Sequence, residues 1–382
     1  MSVNASMPVR LIAFYLPQFH PIPENNAAWG PGFTEWTNVV RARPRFRGHY
    51  QPHLPADLGF YDLRLPETRE AQAELAQTYS VHGFCYYHYW FNGRRVLERP
   101  FNEVLSSGKP DLPFCLCWAN ENWTRRWDGR DQDVILQQEY SDEDDRRHLE
   151  SLLPALRDER YIGIDGRPLL LIWRTAQMPD PRRTTETWRA VARRNGIGEL
   201  YLARVEFPDY EQPDPRNLGF DASVEFAPDW ANFGGTMFRG KRYLPLVACG
   251  VPNAYMKNRV FDYRQGVQAM LNKPIPAYTR FSCVTPSWDN SARKKHDAGI
   301  VVGSTPQLYQ SWLTEVVKRT RQRFTADDRI VFINAWNEWA EGCHLEPDTK
   351  YGHQYLQATR NALISHSDSL SEAGQTRVAM AK

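Results

Sequence analysis

The chain has 382 residues, 42% of them apolar, with 47 basic against 45 acidic side chains for a net charge of +2. That length suits one large α/β domain or two smaller ones, and so even a charge balance gives no global field for a polyanion, which argues against nucleic acid as a partner. The longest apolar runs, such as Leu169 to Trp173, fall far short of the roughly 20 residues of a membrane span, and Leu11 to Leu16 is too short for a signal-peptide core, so no membrane span and a cytoplasmic location are expected.

Short apolar stretches predict strands at residues 9–15, 83–90, 114–118, 168–173, 200–205, 222–226, 275–283 and 330–335. Helical patterns lie between several of them. Residues 66–79 open on Pro66, which suits a first turn, and repeat Ala71, Leu75 and Tyr79 at i+4. Helices are also expected at 142–156, 184–195 and 351–365. Residues 306–321 have Ser304 or Thr305 as cap, Pro306 at the first position, and Leu308, Trp312 and Val316 on one stripe. Two stretches, 21–65 and 206–273, are too long for ordinary connections and are expected to wall a cleft. The ends, 1–8 and 367–382, read as disordered tails around one catalytic domain, 9–366.

Strand-helix alternation implies a parallel sheet covered by helices. An open doubly wound sheet would carry a glycine-rich phosphate turn after its first strand. Here that place reads Leu16-Pro17-Gln18-Phe19-His20-Pro21. Chemistry-bearing residues follow the C-terminal ends of several strands instead: His20, Trp90, Asn120 with Glu121, and Glu338 with Glu341. A single (β/α)8 TIM barrel, with long loops walling its C-terminal face, distributes them in this way.

The 13 tryptophans are the unusual entry in the composition. Trp36, Trp90, Trp118, Trp123, Trp127, Trp288, Trp336 and Trp339 stand within two residues of Asn, Glu, Asp or Arg. A sugar offers an apolar C–H face and a rim of hydroxyls, and aromatics interleaved with hydrogen-bonding groups match both. In Trp336-Asn337-Glu338-Trp339-Ala340-Glu341-Gly342 two carboxylates lie three residues apart between indoles. On one turn their Cβ atoms would be roughly 5–6 Å apart, close enough to address one glycosidic bond. The Cys117 to Gly129 segment adds Trp118, Asn120, Glu121, Asn122, Trp123, Trp127 and Asp128 after another strand, and leaves open a rival scheme with Glu121 as acid and Glu338 as nucleophile. In Tyr86-Tyr87-His88-Tyr89-Trp90, alternation puts Tyr87 and Tyr89 on one face and His88 and Trp90 on the other.

Six cysteines, at 85, 115, 117, 249, 283 and 343, show neither a disulfide framework nor metal spacing, and are expected to be reduced and buried. No cofactor and no metal is called for, although Asp131-Gln132-Asp133 nominally fits an acidic metal motif. Arg41, Arg43, Arg45 and Arg47 alternate; a solvated edge is the default, and contact with an acidic sugar or a carrier-lipid or nucleotide phosphate is the sharper alternative, which Arg293-Lys294-Lys295-His296 could extend.

Taken together, Phe14-Tyr15-Leu16-Pro17-Gln18-Phe19-His20-Pro21, Gly32-Phe33-Thr34-Glu35-Trp36, Gly48-His49-Tyr50-Gln51-Pro52, Asp57-Leu58-Gly59-Phe60-Tyr61-Asp62 and the Trp118 and Trp336 loops resemble the WbsX-type, glycosyltransferase-like proteins of bacterial surface-polysaccharide clusters, of O-antigen or capsule type. These in turn resemble the endo-α-mannosidases of glycoside hydrolase family 99. The resemblance implies a barrel that cleaves α-mannosidic bonds with retention and without a metal. It implies Glu341 as general acid/base and Glu338 as the base that draws the sugar 2-hydroxyl proton, giving a transient 1,2-anhydro sugar. The substrate expected is an oligo- or polysaccharide. Glycosyltransfer in lipopolysaccharide synthesis, and a non-catalytic saccharide-binding barrel, are the alternatives. Substrate contacts are expected from Tyr15, His20, Glu35, Trp36, Tyr87, His88, Trp90, Trp118, Asn120, Glu121, Asn122, Trp123, Trp127, Asp128, Trp288, Trp336, Asn337 and Trp339.

Overall fold

A computed structural model describes residues 8–125, 130–207, 212–237 and 254–364. Eight parallel strands close on themselves: β1 (Arg10–Tyr15), β2 (Gly83–Phe91), β3 (Phe114–Trp118), β4 (Arg167–Ile172), β5 (Tyr201–Glu206), β6 (Ala222–Glu225), β7 (Arg280–Val284) and β8 (Ile330–Ile333). Ile12 of β1 sits opposite Gly83 of β2 on one side and Phe332 of β8 on the other, which closes the barrel. Strands covered on both faces read as continuous apolar runs rather than alternating ones, and all nine residues of β2 are buried.

The helices between strands carry the start signals expected of them. Pro66, Pro181 and Pro306 each stand in a first turn. There the absent N–H loses nothing. Caps accompany the second and third: an Asp180 carboxylate accepts from Arg183 N, and the Thr305 hydroxyl, rather than that of Ser304, accepts from Leu308 N. Boundaries differ from the sequence reading where proline intervenes. β7 starts at Arg280 instead of residue 275, because Pro274 and Pro276 offer no N–H to a ladder and Ile275 is left exposed. The last helix is Gln354–Ile364.

Neither long stretch is irregular throughout. The first contains helices Pro23–Trp29 and Glu35–Arg41. The second holds β6, a helix at Tyr263–Leu271, and a strand Arg259–Asp262 paired with Gly299–Val302. Inside the barrel Phe14 stacks on Phe332 at 5.4 Å and on Tyr87 at 5.5 Å, filling the floor below the C-terminal rim. Cys85, Cys115, Cys117, Cys283 and Cys343 are free and buried. Among the described residues no helix is long and apolar enough to cross a membrane.

Candidate active site

At the C-terminal rim a cleft of about 350 Å³ receives residues from all eight strands or the loops that follow them. Gln18 follows β1, Tyr87 and Tyr89 belong to β2, Glu121, Asn122 and Trp123 follow β3, and Trp173 and Arg174 follow β4. Phe207, Phe226 with Trp230, Trp288 with Arg293 and Lys294, and Asn334 with Glu338 and Glu341 complete the circuit after β5, β6, β7 and β8. Inward alternation puts Tyr87 and Tyr89 in the cleft. Its aromatic wall is built edge to face, with Trp173 against Tyr87 and Phe226, and Trp230 against Trp288.

The two acids stand where β8 opens. Asn337–Glu338 pairs antiparallel with Cys343–His344, and Trp339–Glu341 makes one 3-10 turn between them. Gly342 ends that turn at φ 55°, and a Cβ there would lie 3.0 Å from the Asp289 Cβ and 3.1 Å from its backbone nitrogen. Asp289 N donates to the Glu341 carbonyl at 2.6 Å, which fixes the turn to the β7 loop. Asp289 is itself held by His49 Nε2 at 2.6 Å and Gln51 Nε2 at 2.7 Å. Burial raises its proton affinity, but these contacts outweigh that and hold the carboxyl below its ordinary range. Asn337 clips the turn to β1, accepting from Leu16 N at 2.7 Å and donating to its carbonyl at 3.0 Å.

One guanidinium organises the acids. Arg293 Nη1 donates to Glu341 Oε1 at 2.6 Å, Nη2 to Glu338 Oε2 at 3.1 Å, and Nε to Glu35 Oε2 at 3.1 Å. Burial works against the charged guanidinium, yet Glu35, Glu341 and Glu338 outweigh it and keep it protonated. Burial raises the proton affinity of Glu338 well above the usual carboxylate range; Arg293 opposes this, while Glu341 and Glu35 add to it. Glu35 is shifted up by burial as well, against the pull of Arg293. Glu341 is the more accessible of the pair, its side chain 20% exposed against 9% for Glu338.

The expected site residues divide sharply. Tyr87, Glu121, Asn122, Trp123, Trp288, Glu338 and Glu341 line the cleft, with Glu35 behind Arg293. Others were expected there and the structure corrects them. Tyr15, His88 and Trp90 point outward: the Tyr15 hydroxyl donates to Gln72 Oε1, His88 lies 2.9 Å from His148, and Trp90 Nε1 donates to Asp144 Oδ2. Trp118 packs on His148 and Trp188 between barrel and helices, and Trp336 packs beside Phe84, also outside the barrel. Trp36 and Trp339 meet at 5.5 Å in the interior, and Trp339 Nε1 donates to Glu346 Oε2. Asn120 spends its amide on the backbone of Arg174, and Asn337 on that of Leu16. His20 borders a different cavity, with Arg64, Arg95 and Arg99. Trp127 and Asp128 lie outside the described residues.

The sequence does not single out Tyr89, Trp173, Arg174, Phe207, Phe226, Trp230 or Arg259, and it offers Arg293 only as an extension of a basic contact with an acidic sugar or a phosphate, not as the partner of the two acids. Three of these offered a signal, since Trp173, Phe207 and Phe226 each stand just past a strand end, where barrel sites are built. Along the chain Arg293 opens a basic run, Arg293-Lys294-Lys295-His296, which hides it. Arg45, in the other basic run, is consumed internally by the carbonyls of Ser291 and Lys295 and by Asn258 Oδ1. Glu121 is tied to Arg174 Nε at 2.8 Å and Trp173 Nε1 at 3.2 Å, across the cleft floor from β8.

Known proteins resemble the chain at two levels. Two proteins described as uncharacterized WxcX, from Xanthomonas campestris pv. campestris strains B100 and ATCC 33913, are each 45% identical, over 96% and 97% of the chain. The chain spans about half the length of these curated relatives, 51% and 52%. Among solved structures, a glycoside hydrolase family 99 endo-alpha-mannosidase from Bacteroides thetaiotaomicron superposes with a TM-score of 0.57 at 13% identity, covering 95% of this chain and 98% of that one. A glycoside hydrolase-like protein gives 0.55 at 13%, covering 95% of both. At such identity these two speak for the barrel alone. Residues 11–359 match the family described as Glycosyltransferase WbsX, and the chain belongs to that family.

Proposed function

We propose that the chain acts on a glycosidic bond of a bacterial surface polysaccharide, as a retaining glycoside hydrolase whose chemical step is carried by Glu338 and Glu341. The observation that carries this reading is the single guanidinium of Arg293 holding both carboxylates at the wall of an aromatic cleft. Two carboxyls at one point, with tryptophans for the pyranose face, are what glycosyl chemistry asks of a protein. A raised proton affinity makes Glu338 a stronger base once ionised, which suits withdrawal of a proton from a sugar 2-hydroxyl. Glu341, the more exposed acid, is then the one that serves the leaving oxygen. The wall also carries Arg174, Arg259, Arg293 and Lys294; Arg174 is paired with Glu121 and Arg293 with Glu35, Glu338 and Glu341, so Arg259 and Lys294 are the cations through which an anionic saccharide would be recognised.

The same basic residues favour a second reading, transfer from an activated sugar whose phosphates they would hold. Incubation with fragments of the host's own surface polysaccharide separates the two. Hydrolysis yields new reducing ends of retained configuration, observable by NMR, with no added donor. Calorimetry with nucleotide sugars is expected to show no heat; micromolar affinity for one of them makes transfer the reaction.

A further inference from the structure

We infer that His53, His344 and Asp348 form a binding site for a divalent transition-metal ion, most suited to zinc, that staples the loop after β1 to the segment after β8. The three are buried, and their ligand atoms lie within 4.8 Å of one another. His53 Nδ1 is 2.9 Å from His344 Nε2. The tautomer of His344 is set by its surroundings: its Nδ1 lies 3.0 Å from the Glu346 carbonyl, which can only accept, so Nδ1 carries the proton and Nε2 presents a lone pair. Such a carbonyl is the customary outer partner of a metal-bound imidazole.

Each ligand is held in place. Trp339 stacks on His344 at 3.7 Å and Tyr50 on His53 at 4.2 Å. Asp348 Oδ1 accepts from the backbone nitrogens of Lys350 and Tyr351 at 3.1 and 2.6 Å, and Oδ2 from the Tyr50 hydroxyl alone at 3.0 Å, which leaves a lone pair on Oδ2 for the ion. All three residues border a cavity of about 90 Å³. That is room for an ion with one or two waters, since a water's share of liquid volume is about 30 Å³. Two nitrogen donors and one carboxylate disfavour calcium and magnesium, which take oxygen, and match zinc with a water as fourth ligand. Binding replaces the hydrogen bond between the imidazoles, and the His53 proton moves to Nε2.

None of the three ligands is a reacting carboxylate, and the ion's role is to brace the strand pair that brackets Glu341, Asn337–Glu338 with Cys343–His344. The test is calorimetry on the chelator-stripped full chain titrated with zinc, beside His53→Gln and Asp348→Asn. The wild type is expected to bind one equivalent at micromolar affinity or better and to melt higher with zinc. Each variant, folded by circular dichroism, is expected to bind more weakly by more than the roughly 10–100-fold that loss of an outer partner of a metal ligand costs. Absence of binding to the folded wild type, or binding undiminished in both variants, overturns the assignment and leaves a hydrogen-bonded histidine pair. The readout is metal stoichiometry, so neither result depends on saccharide turnover.

Discussion

Arg293 is the residue on which the account of the cleft turns. It opposes the upward shift of Glu338, so Arg293→Met is expected to raise that proton affinity further. A base must be ionised to act. With Glu338 as base, the acidic limb of kcat/KM lies above the ordinary carboxylate range in the wild type and moves higher still in Arg293→Met. A limb that stays at ordinary carboxylate pH in both proteins contradicts this assignment. Glu121 provides the contrast, because Arg174 and Trp173 already claim its carboxylate. Glu121→Gln should raise KM and leave kcat within a few-fold, whereas removal of a general acid costs about 10²–10⁴-fold in kcat. A kcat loss of that size in Glu121→Gln would revive the scheme that pairs it with Glu338. At this scale the sequence was legible for acids and opaque for their partner. Glu338 and Glu341 announced themselves by indole neighbours, while Arg293 stands 45 residues before Glu338 and looks like any surface arginine until the barrel closes.

Local elements explain which aromatics were misplaced. Trp118, Trp336 and Trp339 sit in polar company along the chain, yet each packs on an aromatic far away in sequence: Trp188 for the first, Phe84 for the second, and Trp36 for the third. A tryptophan buried beside a helix and one lining a sugar cleft use the same hydrogen-bonding neighbours, so composition alone does not separate them. Glu346 shows why the interior holds so many. It accepts from Tyr61, Gln72 and Trp339, while burial pushes its carboxyl up to about 7. Glu346→Leu strands these three donors and is expected to cost about 1–3 kcal/mol per donor left without a partner, measured by denaturant unfolding. The 3-10 turn has its own test. Gly342→Ala sets a Cβ against Asp289 at a positive φ, and a loss of about 1–3 kcal/mol with a drop in kcat is expected. Unchanged stability and rate would mean that the turn tolerates displacement and that its register is not what positions Glu341.

As a whole molecule, the barrel was readable because eight apolar runs alternate with helical patterns, and because reactive residues fall just beyond several strand ends. What was not readable is the closure itself, since β1 meets β8 across more than 300 residues of sequence. Its central layer rests on Phe14, Phe332 and Tyr87, and Phe332→Ala should lower unfolding stability by about 3–5 kcal/mol, the usual cost of emptying an aromatic site. Closure also draws all eight strand ends around one cavity, and under the proposed function a saccharide would sit at its centre, between the β8 acids and the tryptophan wall. The most direct test is a crystal structure of Glu341→Gln with a fragment of the host polysaccharide. The account predicts a sugar stacked in the cleft, its 2-hydroxyl within hydrogen-bond reach of Glu338 and its glycosidic oxygen beside residue 341. A fragment bound elsewhere on the surface, with Glu338 and Arg293 untouched, contradicts it.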